Sequence, residues 1–168
     1  NEYWRNKKDL WSFKLNSLMS INFIPQNLYD KIIDSIPIVC VDGIIENDSG
    51  VLLLLRDNEP EKNKWWFPGG RLLKGEKLEE AIIRKVKEET GLICEVIEML
   101  DITQTNFKTG PSNIPVHTIN VCFTLKIKNG KLSLNNEHKK WGWFKEAPKD
   151  SHLVIKNIFK KLIKWKQH

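Results

Sequence analysis

The chain has little cysteine and uses it sparsely: Cys40, Cys94 and Cys122 lie far apart among 168 residues, with no Cys-x-x-Cys pair. An odd, scattered set excludes a disulfide framework and a thiolate zinc site. Cys40 and Cys122 fall inside apolar runs and read as buried strand residues. The expected compartment is therefore reducing, the cytoplasm. No apolar run approaches the roughly 20 residues that cross a bilayer, and no secretory leader is visible, so no membrane partner is expected. Repeats and low-complexity tracts are missing, which excludes a solenoid. No nucleic-acid-binding motif appears, so nucleic acid is not expected either. The net charge of +6 instead points to small anionic partners.

What is present is ordinary for a folded globule, with 40% apolar and 29% charged residues, enough for one core without staples. Residues 1–26 mix aromatic and basic side chains without a clean period and read as an N-terminal extension. Residues 27–168 read as a single domain. Within it, Asn27 is placed to cap a short helix through Ile33. IVCVDGIIE (38–46) and VLLLLR (51–56) read as strands paired across the turn NDSG. CEVIEMLDIT, HTINVCFTLKI and WGWF are further strands, with NFKTGPSNIP as a loop. Lysines opposite Ile155, Ile158, Phe159, Leu162 and Ile163 mark a docking helix over 153–165. Strands and helices alternate with hairpins, which predicts an α/β (α+β) class with a mixed sheet covered by helices.

The chemistry gathers in GGRLLKGEKLEEAIIRKVKEETGL, residues 69–92. Leu78, Ala81, Ile82, Val86 and Leu92 recur at helical spacing, and Gly91 suits the left-handed position after a helix. Glu76, Glu80, Arg84 and Glu88 follow at i, i+4 intervals as one ridge. Adjacent carboxylates Glu88 and Glu89, at the negative end of the helix, repel unless something positive neutralises them. Mg2+ or Mn2+ would do so, since hard cations take oxygen ligands. A solvated face with Glu80–Arg84 and Arg84–Glu88 pairs is the alternative. Lys85 lies about 60° from Glu88 and about 40° from Glu89 on the wheel, one turn back.

The spacing Gly70, five residues, Glu76, seven residues, Arg84, Lys85, Val86, then Glu88-Glu89-Thr90-Gly91-Leu92 resembles the signature of the Nudix hydrolases. One fixed position departs: Lys85 stands where the family has glutamate. The preceding Trp65-Trp66-Phe67-Pro68-Gly69 is similar to the family's approach to this box. The resemblance implies an α/β/α sandwich around a mixed sheet, and a divalent metal, Mg2+ or Mn2+, gripping a diphosphate. It places Gly69, Glu88 and Glu89 at the metal, with Gly70, Glu76, Arg84 and Gly91 as supporting positions. A protonated lysine neither binds a metal nor accepts a proton, so Lys85 implies fewer metals than usual and a base elsewhere.

Within the family, the chain is most similar to the GDP-mannose mannosyl hydrolases, which also lack that glutamate and attack the sugar's anomeric carbon. SIPIVCVDGIIENDSGVLLLLRDNEP and NNEHKKWGWF carry this resemblance. It implies His138 as base, Glu137 as a further metal ligand, Arg56 against the leaving diphosphate and Asp42 near the sugar. The loop NFKTGPSNIP is shorter than in that branch, and an aromatic residue near Thr118 is missing. Three functions follow: a nucleoside diphosphate sugar hydrolase releasing free sugar, a pyrophosphatase cleaving the P–O–P bond, or a nucleotide-binding domain without catalysis. Pairing into a homodimer is expected by analogy alone.

Overall fold

The computed structural model describes residues 24–165. The extension expected over residues 1–26 lies almost wholly outside the described residues. The elements are α1 (Gln26–Ser35), β1 (Ile38–Asn47), β2 (Gly50–Arg56), β3 (Trp65–Trp66), β4 (Gly69–Arg71), α2 (Leu78–Thr90), β5 (Ile93–Phe107), β6 (Val116–Asn129), β7 (His138–Phe144) and α3 (Leu153–Trp165). Together the strands form one seven-stranded mixed sheet, ordered β3-β2-β1-β6-β5, with β4 added on β1 and β7 on β2. β1 runs parallel to β6 from Ile38↔Thr118 to Ile45↔Leu125, and the other pairings are antiparallel.

Strand alternation splits β1 between two cores. Val41 and Ile45 pack with Ala81, Ile82 and Val86 of α2, while Ile44 packs with Ile155, Ile158 and Phe159 of α3. The sheet is thus sandwiched between α2 and α3, the α/β/α architecture expected from the box. No helix among the described residues is long and apolar enough to cross a membrane.

Local details depart from the sequence reading. The first helix is entered at Pro25, and Asn27 only accepts a hydrogen bond from the Leu28 amide (2.9 Å). β1 and β2 pair only beside their turn, at Glu46↔Val51 and Asn47↔Gly50. Beyond it they part: β3 takes that edge of β2 at Leu54↔Trp66 and Leu55↔Trp65, and the opposite edge pairs with β7 from Val51↔Phe144 to Arg56↔His138. The expected short strand WGWF is therefore the end of a strand that begins at His138. That parting opens a cleft between the two halves of the sheet, and the cleft holds the site.

Candidate active site

The box folds as a loop, a helix and a turn. Leu78, Ala81, Ile82 and Val86 pin α2 to the sheet, and Gly91 ends it at φ 70°, a left-handed conformation that favours glycine. Glu76 lies before the helix, not on it. It receives Arg84 in a two-pronged pair, Nε to Oε1 at 2.6 Å and Nη2 to Oε2 at 2.8 Å, and accepts the Leu73 amide at 3.1 Å. Burial works against ionisation of Glu76, but Arg84 and the Leu73 amide overcome it and hold the carboxyl below the ordinary glutamate range. Arg84 also reaches both Glu88 oxygens at 3.3 Å and the Arg71 carbonyl at 3.2 Å. The anticipated ridge is broken at Glu80, which turns back to accept the Lys77 amide at 3.4 Å.

Glu89 is 3% exposed, and its Oε2 accepts the Gly69 amide at 3.0 Å. Gly69 belongs to β4, which crosses β1 at Asp42↔Gly69. A Cβ at Gly69 would fall 2.2 Å from the Val41 carbonyl oxygen, so only glycine permits this crossing. Lys85 fills the space between the carboxylates, its Nζ 3.0 Å from Glu89 Oε1 and 3.4 Å from Glu88 Oε2. Its stem lies over Gly70, where a Cβ would meet Cε at 2.6 Å. Burial disfavours the ammonium, but Glu89, Glu137 and Glu88 more than offset it, and Lys85 stays charged. Burial raises the Glu89 carboxyl, against the pull of Lys85 and the Gly69 amide.

These groups face a cavity of about 360 Å3 whose lining includes Asp42, Arg56, Gly69, Lys85, Glu89 and Glu137. Gly70, Arg84 and Glu88 also reach it. Arg56 is aimed by its own loop, donating from Nε to the Pro60 carbonyl (2.7 Å) and from Nη2 to Asn58 Oδ1 (3.2 Å). Asp42, 2% exposed, accepts Asn120 Nδ2 at 2.8 Å. Burial pushes its carboxyl up to about 7, in spite of the Asn120 and Trp66 hydrogen bonds.

His138 is placed differently. It is buried, paired opposite Arg56 across the β2–β7 ladder, and is not part of the cavity lining. Its Nδ1 faces Asn135 Oδ1 at 3.1 Å, which puts the proton on Nδ1 and leaves Nε2 as the acceptor. Burial first, then Arg56, pushes its pKa down to about 4, so it is neutral at physiological pH. Glu76 and Gly91 also lie outside the lining. Asn120 and the Tyr29–Arg71 stack, with Arg71 Cζ 4.5 Å from the ring centre, belong to the cavity and carry no signal in the sequence; Trp66 and Thr118, which the sequence marks without a site role, line it too. The β1–β6 pairing that brings Asn120 to Asp42 spans 78 residues and leaves no local signal.

Hard oxygen donors suit a divalent cation, and Glu88, Glu89, the Gly69 carbonyl and Glu137 are the donors at hand. Among the described residues no three His, Cys, Asp or Glu side chains converge as a metal cage. That donor set fits Mg2+, which commonly takes one or two carboxylates and fills its remaining positions with water and substrate phosphate.

Residues 37–161 match the NUDIX domain family model. The chain belongs to the Nudix hydrolase family. This Nudix chain is 37% identical over 136 residues to an ADP-ribose pyrophosphatase of Methanocaldococcus jannaschii, covering 77% of the chain and 75% of that protein. It is 27% identical over 134 residues to the low-salt glycan biosynthesis protein Agl8 of Haloferax volcanii, covering 79% of the chain and 86% of that protein. Its fold is similar to the crystal structure of a MutT protein from Methanosarcina mazei, with a TM-score of 0.67, 21% identity, and coverage of 80% of this chain and 99% of that one.

Proposed function

We propose that this protein is a Mg2+-dependent hydrolase of nucleoside diphosphate sugars that cleaves the P–O–P bond. The observation that carries the reading is the meeting of Glu88, Glu89, Gly69, Arg56 and Glu137 around one cavity. Identity to the archaeal ADP-ribose pyrophosphatase supports the bond cleaved. In this reading Glu88, Glu89 and the Gly69 carbonyl hold the cation, whose chemistry is to polarise the phosphoryl oxygens and neutralise the charge that grows on them. Arg56 orients the diphosphate and steadies its departing half. Lys85 supplies a fixed positive charge where the family places a carboxylate. Glu137, facing the cavity opposite that lysine, accepts a proton from the attacking water. The new bond joins water oxygen to phosphorus, the bridging P–O bond breaks, and the products are a nucleoside monophosphate and a sugar phosphate.

A second reading is attack at the sugar carbon by water activated through His138, releasing free sugar and nucleoside diphosphate as in GDP-mannose hydrolysis. Lys85 in place of the box base favours it, and so does the neutral imidazole of His138. Against it stands the position of His138 outside the cavity lining. Hydrolysis of GDP-mannose, whose sugar is joined to the diphosphate through the anomeric carbon, separates the two in 18O-labelled water. Label on the phosphate of GMP or mannose 1-phosphate supports the first reading, and release of free mannose with unlabelled GDP overturns it.

A further inference from the structure

Buried polar side chains normally have partners, yet the cavity floor breaks this rule in one patch. Thr118 Oγ1 and Asn120 Oδ1 are buried without a hydrogen-bond partner, and both residues line the cavity. Thr105 Oγ1, directly across the β5–β6 ladder from Thr118, is unpartnered as well. The three residues are 6%, 5% and 3% exposed. Asn120 spends its amide nitrogen on Asp42, which leaves its carbonyl oxygen as an acceptor beside the Thr118 hydroxyl. Asp42 in turn crosses Gly69, whose amide holds Glu89. The patch therefore continues from the carboxylate end of the site.

Acceptors left bare in a cavity floor match a ligand that brings several hydroxyl donors. The Tyr29–Arg71 stack, also in the lining, offers an aromatic and cationic surface suited to a base. We propose that Thr118 and Asn120, backed by Thr105, form a subsite that reads the hydroxyls of the sugar beyond the diphosphate and so sets substrate choice. The inference rests on the reading that a nucleoside diphosphate derivative fills this cavity. A methyl group in place of the sugar leaves those acceptors buried and unpaired, and a site built on hydrogen bonds rejects such an analogue strongly.

Binding is measured by calorimetry with Ca2+ in place of Mg2+ to suppress turnover. ADP-ribose and GDP-mannose are each compared with the β-methyl ester of the same nucleoside diphosphate. The wild type is expected to bind at least one sugar ligand about tenfold or more tighter than its ester. Thr118→Val, nearly isosteric, should erase most of that ratio while leaving ester binding and melting temperature unchanged or higher, and Thr118→Ser should restore it. Equal wild-type affinity for sugar ligand and ester overturns the inference, and so does a Thr118→Val effect that weakens both alike. Failure of every ligand, esters included, to bind would instead sink the nucleoside diphosphate reading and this subsite with it.

Discussion

Replacing Lys85 by glutamate restores the carboxylate that the family signature carries, and it should harm the metal-free fold. The ammonium sits 3.0 Å from Glu89 and 3.4 Å from Glu88. The side chains of Lys85 and Glu89 are 14% and 4% exposed, whereas that of Glu88 is 42% exposed. The Glu89 contact therefore carries most of the energy, because water screens the Glu88 contact. Removing one partner of a buried ion pair costs about 3–5 kcal/mol, and the new carboxylate adds repulsion. For a chain of this size each kcal/mol lowers the melting temperature by roughly 2–4 °C. In EDTA, Lys85→Glu should therefore melt about 6–20 °C below wild type. Added Mn2+ should recover much of the loss, since a ligand at 100 times its Kd stabilises by about 2.7 kcal/mol. Calorimetric melting with and without Mn2+, together with the number of Mn2+ bound, checks this. An unchanged melting temperature in EDTA, with no additional Mn2+ bound, would refute the claim that Lys85 acts as a tethered cation.

Glu76→Gln leaves Arg84 with a neutral partner. The wild-type carboxyl is held below its ordinary value, so its stabilising effect is complete above the unfolded glutamate pKa, about 4.3, and fades as pH falls through the lower folded one. The variant should be less stable near pH 7 and lose less on acidification, read by urea unfolding from pH 7 down to 3. Gly69→Ala places a methyl against the Val41 carbonyl and should cut activity at least tenfold by displacing β4 from Glu89, seen as a fall in kcat. Glu137→Gln should lower kcat by about a hundredfold or more with little change in KM, as expected for loss of a proton acceptor. His138→Phe should leave kcat within a few fold under the phosphorus-attack reading, and a loss of a hundredfold would favour attack at carbon.

The helix of the box was legible because its signals are local: apolar spacing, a closing glycine, and charged residues at fixed intervals. Glu89 accepts the Gly69 amide, and Glu88, one step round the helix, is held by Arg84 and Lys85. What the intervals could not give is direction. The i, i+4 spacing puts Glu76 on a helical ridge, yet it sits in the preceding turn, where Arg84 folds back over it. Of the two pairs in the alternative solvated-face reading, Arg84–Glu88 forms, while Glu80 turns to the Lys77 amide. The strand pairings were legible only where a tight turn fixes them. Beyond the turn the edge of β2 that faced β1 takes β3, at Leu54↔Trp66 and Leu55↔Trp65, while its other edge pairs with β7 along its length. That pairing buries His138 beside Arg56 and leaves Glu137 facing the cavity. Asn120 met Asp42 through the parallel β1–β6 ladder, whose partners share no neighbouring sequence. The polar floor was invisible for the same reason.

Attack at phosphorus, in a site where Glu88 and Glu89 hold a divalent cation and Lys85 replaces a carboxylate, is tested by hydrolysis of ADP-ribose and GDP-mannose by the purified protein in 18O-labelled water with Mg2+, with mass spectrometry of every product. GDP-mannose, whose sugar is joined through its anomeric carbon, separates the two bonds. The expected result is label on the phosphate of AMP from ADP-ribose, label on the phosphate of GMP or mannose 1-phosphate from GDP-mannose, no free mannose, and loss of turnover in Glu89→Gln. Free mannose with unlabelled GDP, or turnover that survives Glu89→Gln, would overturn attack at phosphorus.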